Sequence, residues 1–60
     1  MNREVLEDWF ESHDIEYEEY DAGFCLHINS LSSETLFHIA NNNAAVEDHD
    51  MYGQFWVVDE

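Results

Sequence analysis

The chain has 60 residues, with 15 carboxylates and one basic side chain, Arg3, for a formal charge of −14 with histidine neutral. That balance excludes direct binding to nucleic acid phosphates and disfavours an anionic membrane surface, since both need cations the chain lacks. No apolar run approaches the ~18 residues of a membrane span, and no secretory leader is visible. The lone Cys25 has no partner for an internal disulfide, which points to a reducing cytoplasm.

Residues 3–13 read as an amphipathic helix. Asn2 supplies an N-cap. Val5, Leu6, Trp9, Phe10 and His13 recur at helical spacing and define one face. Glu4, Glu7, Asp8 and Glu11 occupy the others, with Glu4 and Glu7 suited to the positive end of the helix dipole.

Residues 15–20 and 24–29 read as the two strands of a hairpin. Ile15 and Tyr17 alternate with Glu16 and Glu18. Phe24, Leu26 and Ile28 point one way, and Cys25, His27 and Asn29 the other. Asp21-Ala22-Gly23 suits a three-residue turn with Gly23 in the left-handed conformation.

A second helix is expected over 33–42, with Ser32 as N-cap and Leu31 stapled to Leu36. Leu36, Phe37, Ile39 and Ala40 are its expected buried face. Asn41-Asn42-Asn43 is the stop, because Asn tolerates the left-handed residue that ends helices. Residues 44–51 read as a loop with an acidic tip, and 54–58 (Gln-Phe-Trp-Val-Val) as a third strand.

The order is then α-β-β-α-β. It describes one α+β domain over residues 1–60, with two helices packed on a three-stranded, mostly antiparallel sheet. An exposed edge of the third strand would offer a route to a homodimer. High charge alone would indicate disorder. Two Trp, three Tyr, four Phe and a 45% hydrophobic content argue instead for a core. Self-repulsion should make so small a fold more stable in added salt.

The charge is unevenly spread. Residues 1–21 carry nine acids and Arg3, residues 22–46 only Glu34, and residues 47–60 five acids. Glu4, Glu7, Asp8, Glu11, Asp14, Glu16, Glu18, Glu19 and Asp21 form the main array. Glu47, Asp48, Asp50, Asp59 and Glu60 form a second patch. Helical positions three or four apart are separated by roughly 4.5–6 Å along the axis. Glu16 and Glu18, two apart on a strand, are about 6.6 Å apart. Duplex DNA carries a phosphate per ~3.4 Å of axis on each strand, and the spacing along the winding backbone is longer. Both elements therefore display carboxylates at separations comparable to those of neighbouring phosphates. A rigid array of this kind fits a cleft of Lys and Arg that normally holds nucleic acid, with fast, salt-sensitive association. Tyr17 and Tyr20 beside the acids are candidate anchors.

The competing reading is a solvated face that keeps a small protein soluble. A charge of magnitude ~2–8 suffices for that, and −14 lies well beyond it. A halophilic cytoplasm is a second competitor, which nine Glu against six Asp and the high aromatic content do not suggest.

In its short length, near-absence of Lys and Arg, and acidic-aromatic run Ile15-Glu16-Tyr17-Glu18-Glu19-Tyr20-Asp21, the chain resembles the small DNA-mimic proteins of phages and mobile elements. These are the anti-restriction, anti-CRISPR and DNA-repair-inhibitor proteins. The likeness is one of character over the whole chain, without a shared motif. It implies an inhibitor that binds a basic nucleic-acid-binding host protein and blocks its DNA or RNA site. The alternative is an adaptor that binds through exposed aromatics, with Trp56 and Tyr52 as candidates, or through a sheet edge.

Other chemistry finds little footing. Asp48-His49-Asp50-Met51-Tyr52-Gly53 with Asp59 partly matches a calcium loop. However, Tyr52 stands at a ligand position and the following residues prefer a strand. His13, His27, His38 and His49 lack zinc-ligand spacing. Ser30, Ser32 and Ser33 suit capping better than nucleophilic attack. No metal, cofactor or catalytic residue is expected, and the chain reads as a non-enzyme.

Overall fold

A computed structural model describes all residues, Met1–Glu60. In chain order the elements are α1 (Arg3–Ser12), β1 (Tyr17–Tyr20), β2 (Gly23–His27), a 3-10 turn (Ile28–Ser30), α2 (Ser33–Asn41), β3 (Ala44–Asp48) and β4 (Gln54–Asp59). The strands form one antiparallel sheet in the order β1-β2-β4-β3. Both helices lie on the same face of it. The class is the expected α+β, but with four strands instead of three.

The added strand is β3, where a loop was expected. Ala44-Ala45-Val46-Glu47-Asp48 has poor intrinsic strand preference. It is held by pairing with β4, Ala44 opposite Asp59 through Asp48 opposite Phe55. This places β4 between β2 and β3. The strand expected to expose an edge is therefore internal, and the free edges belong to β1 and β3. The register also dismantles the partial calcium loop. Asp48 and Asp59 stand four pairs apart along the ladder, roughly 14 Å at strand rise.

The ends of α1 follow local chemistry. The Asn2 side chain accepts from Val5 N–H. At the other end Asp14 takes φ +54°. Asp14 N–H donates to Glu11 O, and Ile15 N–H to Phe10 O at 2.8 Å. This is the paired closure of a Schellman motif, and it turns the chain so that Ile15 folds back onto the core. At α2, Ser32 Oγ accepts from Thr35 N–H. The expected asparagine stop is Asn43, at φ +60°.

The core lies between the helices and the inner sheet face. It is built from Leu6 and Phe10 of α1, Phe24 and Leu26 of β2, Ile39 of α2, Ala44 of β3 and Val57 of β4. Phe10, Tyr17 and Phe24 form a ring cluster with centroids 5.3–5.6 Å apart, in which Phe24 meets both other rings in the edge-on geometry that aromatic quadrupoles favour.

The buried face of α2 departs from expectation. Leu36 is 41% exposed and Phe37 67%, and Ala40 is also exposed. Ile39 points inward as expected, and Thr35 joins it in place of the other three. Thr35 tolerates burial because its hydroxyl meets both Trp9 Nε1–H (3.2 Å) and Ser32 Oγ. Leu36 is thus half-exposed. Ile28, expected to continue β2 inward, lies in the 3-10 turn and is likewise half-exposed.

The β1–β2 turn is also tighter than expected. Tyr20 pairs with Gly23, so only Asp21 and Ala22 form the turn. Gly23 is the first residue of β2, at φ +152°, and a Cβ there would sit 1.8 Å from the Val57 carbonyl oxygen.

Candidate functional site: the acidic shell

The acids fall into three groups set by the fold. On α1, Glu4, Asp8 and Glu11 are exposed, and Asp14 follows at the helix end. Between α1 and β1, Glu7 meets Glu19 from across the seam. On the far face of the sheet, Glu18 projects from β1, with Glu16 just before it. Asp21 sits in the turn.

Arg3 lies inside this shell. Its Nη2 donates to Tyr20 O at 2.8 Å and to Glu19 Oε2 at 3.1 Å, and approaches Gly23 O at 3.4 Å. The guanidinium also stacks over the Phe24 ring. The sole basic side chain is therefore committed to holding α1 on the hairpin.

The seam carboxylates behave as a unit. Glu7 is pushed above the ordinary carboxylate value, first by its hydrogen bond to Glu19, then by desolvation and by the Glu19 charge. Glu19 is held low by its hydrogen bonds to Glu7 and Arg3. On acidification Glu7 takes the proton and donates it to Glu19.

Tyr17 is a core side chain whose hydroxyl alone reaches the acids, donating to Glu11 Oε1 at 3.3 Å. Desolvation pushes its pKa above the ordinary tyrosine value, reinforced by the charges of Glu11 and Glu7. The Tyr20 hydroxyl donates to Glu18 Oε2 at 3.2 Å, and that bond holds its pKa above the ordinary value too.

The second patch is not one cluster. Asp59 pairs with the Met1 ammonium at 2.5 Å. Glu60 N–H donates to Asn43 O. Glu47 lies on the outer face of β3, Asp48 at its end and Asp50 in the β3–β4 connection. No group of three or more His, Cys, Asp or Glu side chains is arranged to hold a metal ion.

Strand alternation gives the sheet a second face that no helix covers. One row across it runs Glu18, Cys25, Trp56, Glu47 in strand order. Trp56 packs edge-on against Tyr20 (5.1 Å) and stacks on His49 (4.6 Å). Tyr20 reaches Trp56 across Gly23, which carries no side chain to intervene. Beside the row, Glu16, Glu18, Cys25, His27 and Gln54 help to line a shallow groove of ≈ 540 Å³. Cys25 Sγ donates to Gln54 Oε1 at its floor, and burial pushes the thiol up.

Sequence reasoning found these acids but not this row, because Glu47 was assigned to a loop. Once 44–48 is paired with β4, alternation alone brings Glu47 beside Trp56.

Two of the four histidines flank Trp9. His13 and His38 stack on it at 3.6 Å each, packing the α1–α2 interface. No helix is long and apolar enough to cross a membrane. No protein-family model, curated protein or solved structure matches the chain.

Proposed function

We propose that this chain is a non-enzymatic acidic mimic of nucleic acid. It occupies the positively charged site of a host nucleic-acid-binding protein, such as a CRISPR effector or a restriction enzyme, and excludes DNA or RNA from it. The observation that carries this reading is the internal use of Arg3. With its only basic side chain bonded to Glu19 and to two backbone carbonyls, the protein presents carboxylates outward with no basic side chain among them. Such a surface is steered to a basic cleft and away from nucleic acid itself. A reducing cytoplasm suits the single buried thiol.

The test is capture of binding proteins from a lysate at low salt, with and without nuclease, followed by competition. A captured nucleic-acid-binding protein should lose its duplex or RNA as this chain is added, and the inhibition should weaken as salt rises. Reversing Glu16 and Glu18 to Lys should abolish inhibition and leave far-UV circular dichroism unchanged. Undiminished inhibition by the double variant would remove this surface from the mechanism.

The adaptor reading draws on Tyr52, which is fully exposed. In that case Tyr52→Ala would abolish capture, and acid-to-amide substitutions would leave it intact.

A further inference from the structure

The uncovered sheet face departs from what such faces normally carry. The solvated side of an antiparallel sheet is ordinarily polar along each strand. Here alternation places Cys25, Trp56 and Val58 on the two central strands and Ala45 beside Val58 on β3, with Glu18 on one side and Glu47 on the other. The two flanking acids stand three strand spacings apart, about 14 Å. An apolar, aromatic middle inside a charged margin is the anatomy of a protein-binding surface.

The charge restricts what can cover it. A second copy would bring Glu18 and Glu47 against like charges. A nucleic acid stacking on Trp56 would bring phosphates to the same carboxylates, and an anionic membrane would meet the same repulsion. A cationic partner is the complement. Nearer α1, Glu19 is already engaged with Arg3 and Glu11 with Tyr17. The Glu16 and Glu47 side chains make no hydrogen bond or salt bridge within the chain, and the Glu18 carboxylate accepts only from the Tyr20 hydroxyl.

Resting on the mimic reading, we propose that this face is where the basic partner docks, and that the docking element carries arginine. A guanidinium is planar and weakly hydrated. It can lie on the Tyr20–Trp56 surface while its fork pairs with Glu18 or Glu47. The groove beside Glu16 and Glu18 gives a second guanidinium a concave seat next to two carboxylates. Lysine ammonium groups satisfy the charge but gain little from the aromatic centre.

The test uses the isotopically labelled full chain and two probes of equal length, an oligo-arginine and an oligo-lysine peptide, titrated at low and moderate salt. Oligo-arginine should shift the Trp56 indole N–H and the Glu18 and Glu47 amides before those of Glu4 and Asp8. It should also bind more tightly than oligo-lysine. Trp56→Ala should weaken oligo-arginine about fivefold or more, in line with loss of a cation–π contact, and change oligo-lysine binding less than twofold. Glu47→Gln, on the surface, supplies a second variant that keeps the aromatic packing and should weaken both peptides.

Equal affinities, or shifts confined to α1 and the seam, overturn the proposal. Competition against duplex DNA for a basic nucleic-acid-binding protein separates the two ideas. Trp56-dependent arginine binding without such competition keeps the docking face and removes the mimicry. Competition that survives Trp56→Ala and Glu47→Gln keeps the mimicry and removes the docking face.

Discussion

The Arg3 guanidinium sits 4.6 Å from the centroid of the Phe24 ring, beneath which the core begins. The only basic residue of a strongly anionic chain is thus a structural pin. Its Nη2 also reaches the backbone of both hairpin strands, at Tyr20 and Gly23. Arg3→Gln should destabilise the fold by about 1–2 kcal/mol, the sum of a partly shielded cation–π contact and a hydrogen bond to backbone. Arg3→Lys should recover part of the loss, because an ammonium keeps the charge but not the fork. Urea unfolding of the three proteins measures the order; equal midpoints would refute the pin.

Gly23 admits no side chain. Its backbone lies in a region that L-residues rarely adopt, and the β4 carbonyl at Val57 occupies the space of a Cβ. Gly23→Ala should cost about 3 kcal/mol or more, combining backbone strain with separation of the two central strands. In a domain of this size that is enough to unfold a large fraction of molecules at room temperature. One-dimensional proton spectra would reveal it as loss of dispersed methyl signals, and a well-dispersed spectrum would contradict the close approach.

The Glu7–Glu19 pair makes a pH prediction whose sign follows from the two shifts. Glu7, raised in the fold, adds stability below its ordinary value near 4.5 and loses it as pH rises through the folded value. Glu19, lowered, adds stability above its ordinary value and loses it as pH falls through the folded value. The two windows lie on opposite sides of 4.5, so the pair's contribution rises towards that pH from below and falls above it. Glu7→Gln replaces the raised acid with a permanent donor to Glu19. The variant should be more stable than the parent at pH 7, and the difference should shrink as pH falls through the raised value of Glu7 towards 4.5 and the folded parent protonates. Thermal midpoints taken at both ends of that window decide it, and a difference independent of pH would exclude the shared proton.

Asp14 holds a left-handed conformation at the end of α1 and places a negative charge at the negative end of the helix dipole. Asp14→Gly relieves both effects and should stabilise the fold by about 0.5–1 kcal/mol. A lower denaturation midpoint for the variant would mean that the Asp14 side chain makes a contact worth more than the strain.

These relationships differ in how far the sequence exposes them. Asn2 and Ser32 as caps, the Asn43 stop and the hairpin through Tyr17–His27 follow from local chemistry that acts within four residues. Alternation along 54–58 puts Trp56 on the opposite face from Phe55 and Val57, as the sheet has it. What stayed hidden depends on contacts distant in the chain. The segment Ala44–Asp48 becomes a strand only because β4 offers a ladder. Ile39 turns inward as its spacing requires, but Thr35, not Leu36 or Phe37, joins it because Trp9 supplies a hydrogen bond across the helix pair. Asp14 carried a readable signal, an acid of left-handed tolerance directly after an amphipathic helix, that sequence reasoning passed over. The acids themselves were plain in the composition. Their division among helix, seam and open sheet face required the strand order.

The imidazole packing has an optical consequence. Trp9 is sandwiched by His13 and His38, and Trp56 is stacked by His49, so the excited state of each indole has an imidazole in contact that unfolding replaces with water. The native protein and the denatured chain should therefore differ in emission. Label-free emission would then follow separation of the helices through one fluorophore and opening of the β3–β4 hairpin through the other. Single Trp-to-Phe replacements would assign each signal to its site.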